Sequence, residues 1–75
     1  MGELVRYIAR SLVEKPDAVD VREVETADSL VVELRVDPDD MGKVIGKQGR
    51  IAKAIRTVVK AASVNSPKPV FVEII

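Results

Sequence analysis

The chain has 75 residues, 47% of them hydrophobic and 32% charged, with a formal net charge of zero. That makes one domain near the small end for independent folding, where about 60% of the unfolded surface can be buried. With neither cysteine nor histidine, disulfides and the usual zinc sites are excluded. No apolar run approaches the roughly 18 residues of a membrane span, and the start M-G-E-L-V-R lacks a signal-peptide pattern, so a cytoplasmic protein is expected.

Zero net charge argues against a nucleic-acid binder, but the charges are segregated. Residues 1–40 hold five Lys/Arg against eleven Asp/Glu, a balance of −6. Residues 41–75 hold seven Lys/Arg against Glu73 alone, a balance of +6. A ligand meets the local field, not the average.

Leu4, Ile8 and Leu12, with Val5 and Ala9 beside them, follow the spacing of one face of a first helix. Lys15-Pro16 ends it, because the residue before proline is driven out of the α region. Val19–Glu25 and Leu30–Val36 read as valine-rich strands joined by the turn Thr26-Ala27-Asp28-Ser29. In the second strand Leu30, Val32, Leu34 and Val36 share one face, and Val31, Glu33 and Arg35 the other. Asp37 as N-cap and Pro38 at the first helical position then open a short helix carrying Met41, Val44 and Ile45. Asp39 and Asp40 fall in its first turn, where they favour the helix dipole. A longer helix is expected from Arg50 to Val64, punctuated by Asn65-Ser66-Pro67, and a last strand over Val70–Ile75. The order is α-β-β-α-α-β, an α+β domain with a three-stranded sheet covered on one face by three helices.

Between the second and third helices lies V-I-G-K-Q-G-R-I. Two glycines within good helix-forming sequence cost about 1 kcal/mol each relative to alanine. A break where another backbone comes close explains them: glycine supplies positive φ and removes the obstructing Cβ. The helix opening at Arg50 offers unpaired amides at the positive end of its dipole. With Lys47 at the loop tip, this describes a phosphate clamp. The alternative is a plain helix–helix connection with glycine caps, since G-x-x-G alone is a short motif. The following helix favours the clamp. It places Arg50, Lys53 and Lys60 within an arc of roughly 80°, opposite a core stripe of Ile51, Ile55, Val59 and Ala62.

Over its whole length the chain resembles a bacterial KH domain of the type II order. The run D-D-M-G-K-V-I-G-K-Q-G-R-I-A-K-A-I-R-T-V-V-K-A-A is similar to the small stand-alone members of that family, the KhpA group. The resemblance implies that Gly46, Lys47, Gln48 and Gly49 hold phosphates of about four single-stranded nucleotides. Val44, Ile45 and the apolar face of the second strand (Leu30, Val32, Leu34) would form the groove under the bases, with Lys43, Arg50 and Lys53 supplying charge. It also implies self-association, pairing with a larger KH-containing partner of the KhpB type, and roles in RNA-level regulation affecting cell division and elongation.

No catalytic residue, metal site or cofactor is expected: no nucleophile–base pair is evident and there is no P-loop pattern. Tyr7 and Phe71 are the only aromatics, too few for a stacking platform, and read as packing residues. Lys68 reads as a solvated charge. Ala54, Val58 and Ala61 lie beside the core stripe of the third helix, and their small size would let a second helix approach, which makes them a candidate homodimer seam. A KH-shaped module whose main ligand is a protein is the competing function.

Overall fold

The computed structural model describes all 75 residues. Helix α1 (Gly2–Leu12) leads into an antiparallel hairpin of β1 (Asp20–Glu25) and β2 (Leu30–Arg35). Helices α2 (Met41–Ile45) and α3 (Arg50–Ala62) follow, and β3 (Val70–Ile74) ends the chain. Single 3-10 turns at Pro16–Ala18, Pro38–Asp40 and Lys47–Gly49 join these elements. The order is the one read from the sequence. Helix α3 is shorter than expected, stopping at Ala62, and Val64 beyond it is exposed.

The sheet runs β1-β2-β3, with β3 parallel to β2 and reached through the α2–α3 crossover. Strand β2 is therefore the middle strand. Its even-numbered residues point toward the helices, beside Val70, Val72 and Ile74 of β3 in register. Helix α1 packs on β1 and β2, α3 packs on β3, and α2 lies against α3 and α1. Val5, Ala9, Val32, Leu34, Val44, Ile55, Val59 and Val72 meet in one core. The other face of the sheet is uncovered. It carries an apolar row, Val24, Val31 and Phe71, beside charged pairs such as Arg22 and Glu33.

Asp37 behaves as expected, accepting the Asp39 amide at 2.9 Å. Asp40 does not. It is 2% exposed and accepts the amides of Glu14 at 3.2 Å and Lys15 at 3.0 Å, so it ties the end of α1 to the start of α2. A carboxylate reaching two amides across the core boundary replaces the dipole role read from its position. Lys68 is also more than a solvated charge. Its ammonium lies 2.7 Å from the Glu25 carboxylate and donates to the Thr26 carbonyl at 2.8 Å, fastening the end of β1 to the loop before β3.

Candidate nucleic-acid interface

The loop between α2 and α3 is built on three positive φ angles. At Gly46 (φ 77°, ψ 173°) the amide still closes α2 on the Gly42 carbonyl at 2.8 Å, and then the chain turns away. A Cβ there would stand 2.6 Å from Ile51 Cγ1 and 2.9 Å from the Ile51 backbone nitrogen. Glycine is thus required twice, by the angle and by the first turn of α3 seated against it. Gly49 (φ 72°) has open space where a Cβ would be, so the angle alone demands it. Gln48 (φ 58°) holds the left-handed region without being glycine, a conformation that costs about 1–2 kcal/mol. Its carbonyl oxygen accepts from the Arg50 guanidinium at 3.3 Å. No side chain caps the Lys47–Gly49 turn or α3; instead the Gly49 amide donates to the Gly46 carbonyl at 3.1 Å and the Arg50 amide to that of Lys47, so backbone closes the turn.

The ion pairs of the chain engage Arg6, Lys15, Lys43 and Lys68. Arg10, Arg22 and Arg35 have no carboxylate partner, nor do Lys47, Arg50, Lys53, Arg56 and Lys60, the five that lie on the loop or on α3. Lys43, placed among the clamp residues by sequence, differs: its ammonium is 2.9 Å from Glu14 and 3.8 Å from Asp40. Hydrogen bonding to Glu14 in particular holds its pKa above the usual lysine range.

Helix α3 divides its surface in three. Ala52, Ile55 and Val59 face the core. At about 100° per residue, Lys53, Arg56 and Lys60 occupy one flank and Ile51, Ala54 and Val58 the other. The core stripe is thus rotated from the expected one: Ala52 is buried, Ile51 only partly, and Ala62 is exposed. On the basic flank a cleft of about 610 Å³ separates the second half of α3 from β3. Arg56, Lys60 and Lys68 line it, with Val64 and Phe71, and no acidic residue does. Leu30 N–H donates to the Pro69 carbonyl, and Ile75 N–H to that of Leu34, both at 2.9 Å. Odd-numbered residues here therefore pair with β2, and Val70, Val72 and Ile74 turn their backbone groups to the sheet edge. Arg56 Nε reaches the outward Val72 carbonyl at 3.4 Å.

This geometry corrects the expected groove. Val32 and Leu34 are fully buried and Leu30 is half-buried, because the apolar face of the middle strand lies under the helices. Val44 is fully buried as well, while Ile45 is exposed. The wall opposite α3 is instead β3, which the sequence reading did not single out. A signal was available: a strand returning through two helices pairs in parallel beside the one it left, and so lies next to the crossover. The aromatics are corrected too. Tyr7 is 73% and Phe71 55% exposed, so neither is a core residue. Phe71 alternates with the inward Val70 and Val72, which the strand period already implied.

The proposed seam residues separate. Ala54 and Val58 line a largely apolar groove of about 350 Å³ between α1 and α3, together with Ile8, Leu12, Ile51, Ile55 and, at its end, Arg50. Ala61 is exposed outside it.

A three-stranded sheet in α-β-β-α-α-β order, with a G-K-Q-G turn between its two adjacent helices, defines a KH domain. The family model for the KhpA/KhpB KH domain matches residues 2–74, and the chain belongs to that family. It is 63% identical over 75 residues to the RNA-binding protein KhpA of Caldanaerobacter subterraneus subsp. tengcongensis and 65% identical to that of Clostridium perfringens, covering all of both chains in each case. Among solved structures, Era of Aquifex aeolicus superposes with a TM-score of 0.68 at 26% identity, over 97% of this chain and 28% of Era. Era in complex with nucleotides 1506–1542 of 16S ribosomal RNA gives 0.65 at 26% identity, over 99% of this chain and 30% of that one. The family is one of KH domains, not of enzymes. No helix is long and apolar enough to cross a membrane.

Proposed function

We propose that the protein binds single-stranded RNA, gripping a short stretch of backbone with the G-K-Q-G loop. The observation that carries this reading is a set of cations without carboxylate partners: Lys47 at the loop and Lys53, Arg56 and Lys60 along one flank of α3, with Arg50 at the helix start. The glycine turn lets a phosphate backbone approach Lys47 closely, and the cations supply the field. The names of the full-length relatives support the same ligand. In this reading the protein acts at the RNA level, as a post-transcriptional regulator or RNA chaperone, in the cytoplasm.

The test is Lys47→Asp combined with Gln48→Asp, with binding of a labelled single-stranded RNA and thermal melting measured on the same samples. Asp tolerates the left-handed region that Gln48 occupies, so the fold should persist. Binding should be lost. Undiminished binding by the folded variant overturns the clamp.

A single clamp makes few phosphate contacts, so a second site raises affinity through effective concentration. The apolar groove between α1 and α3 favours a second copy of this chain as its occupant: Ala54 lets a helix approach and Val58 is 44% exposed. A larger KhpB-like protein could take the same face, and the family's joint name supports that pairing. Val58→Asp should give a folded monomer in sedimentation with weaker apparent RNA affinity. An intact dimer places the seam elsewhere.

A further inference from the structure

We propose that Phe71 is a nucleobase-stacking residue. It would receive a base from the stretch of RNA that runs beyond the loop into the cleft between α3 and β3. This rests on the RNA-binding reading above and assigns a base-contacting side chain within its α3–β3 groove.

The position of Phe71 is unusual for so apolar a side chain. It is 55% exposed on an edge strand of a small domain with few large buried side chains. Its neighbours Val70 and Val72 already serve the core side of β3. It lines the rim of a cleft of about 610 Å³, within the roughly 300–1,000 Å³ of small-ligand sites. Three cations line that cleft and no acid does. Lys68 is occupied by Glu25, while Arg56 and Lys60 are not paired to any carboxylate. An aromatic ring beside two cations without carboxylate partners, with the outward backbone groups of Val70 and the Val72 amide between them, offers a π-face, phosphate partners and hydrogen-bonding groups in one place; Arg56 Nε already holds the Val72 carbonyl.

Continuity with the loop identifies the occupant. Arg50 opens α3 beside the α1 groove, while Lys53, Arg56 and Lys60 follow one another along the other flank, and Lys60 lies about 15 Å along the axis from the helix start at 1.5 Å per residue. A strand held by its backbone at Lys47 and following these cations arrives at the cleft after a few nucleotides. A compact anion would use the cations without the ring, and an apolar peptide would use the ring without the cations. Single-stranded RNA uses both, and stacking accepts any base because every base has a π-face.

The experiment compares wild type, Phe71→Ala and Phe71→Trp on a tetranucleotide and on a longer single-stranded RNA. It includes copies of the longer RNA carrying one abasic nucleotide at each position in turn. Phe71→Ala should weaken the longer RNA about five- to tenfold or more, spare the tetranucleotide, and leave the circular-dichroism melt nearly unchanged. Phe71→Trp should restore binding. One abasic position should reproduce the loss in wild type and add nothing in Phe71→Ala, a coupling that a purely structural role would not produce. If Phe71→Ala binds the longer RNA as wild type does while the Lys47/Gln48 variant has lost it, the stacking proposal is wrong and the clamp stands. If no abasic position couples to Phe71, the proposal is equally wrong. If wild type binds neither RNA, the underlying reading fails and takes this one with it.

Discussion

Gly46 and Gly49 are both glycines at positive φ, yet alanine at each should cost very different amounts. At Gly49 (φ 72°, ψ 14°) nothing lies within 4 Å of an added Cβ. The penalty is the left-handed conformation alone, about 1 kcal/mol. Gly46 (φ 77°, ψ 173°) occupies a region essentially reserved for glycine, where another residue costs about 1–3 kcal/mol. Its Cβ would also stand 2.8 Å from Ile51 Cβ and 2.9 Å from the Ile51 nitrogen. Backbone cannot rotate away as a side chain tip can, so the first turn of α3 must shift, adding about 1–3 kcal/mol of overpacking. The difference between the two variants is therefore at least about 1 kcal/mol and as much as about 5 kcal/mol.

In a domain of this size each kcal/mol moves the melting midpoint by about 4–8 °C. Gly49→Ala should lose a few degrees, and Gly46→Ala well over about 10 °C. Urea unfolding followed by far-UV circular dichroism gives the free energies directly. Asparagine separates the two causes, because it tolerates the left-handed region but still carries a Cβ. Gly49→Asn should recover most of the loss, and Gly46→Asn none of it. Equal losses at the two positions, or recovery of stability by Gly46→Asn, would refute the packing role assigned to Gly46.

Two further outcomes follow from the long-range polar contacts. Asp40→Ala should destabilise the fold by about 2–4 kcal/mol in urea unfolding, since it strands the Glu14 and Lys15 amides. Asp40→Asn, which keeps one accepting oxygen, should lose about half as much. The Glu25 carboxyl is held below the usual glutamate range, first by its hydrogen bond to Lys68 and then by that lysine's charge. Its contribution is therefore present above the unfolded-state pKa and fades as pH falls through the lower folded one. A side-chain NMR titration should show a depressed Glu25 midpoint that returns toward the ordinary value in Lys68→Met; an unmoved midpoint would dissolve the pair in solution.

What was legible in the sequence was local. The period of two in Leu30–Arg35 sorts Val32 and Leu34 from Val31 and Glu33 without reference to any partner. Asp37-Pro38 announces a helix start because its chemistry is completed two residues later, at the Asp39 amide. The two glycines of the G-K-Q-G turn are legible for the same reason, since positive φ is natural to them, whereas the left-handed φ of Gln48 is imposed by the turn. Asp40 and Lys68 were misread because their partners lie 25 to 43 residues away in the chain. Nothing in the spacing around either residue distinguishes a carboxylate that ties two elements together from one that favours a dipole. The exchange of β2 for β3 as the groove wall has the same origin: it depends on strand order, which periodicity does not carry.

The phase of α3 shows how much can turn on such an omission. Periodicity weighs side chains by size, and Ile51, Ile55, Val59 and Ala62 form a credible stripe on that measure. Packing weighs what each neighbour permits. Ala52 is buried, and Ile51 is drawn to the side, over Gly46. The rotation leaves Ile51, Ala54 and Val58 facing α1 and sends Arg56 and Lys60 toward β3. A helix with one buried face and one solvated face would offer a single surface for either RNA or a partner, and the two functions would compete. With the core stripe set between an apolar flank and a basic flank of the thirteen-residue helix, the proposed second chain and the proposed RNA strand would meet different faces. That is why a charge at Val58 should reduce RNA affinity only through loss of the second site, while a charge at Lys47 should remove binding at the first.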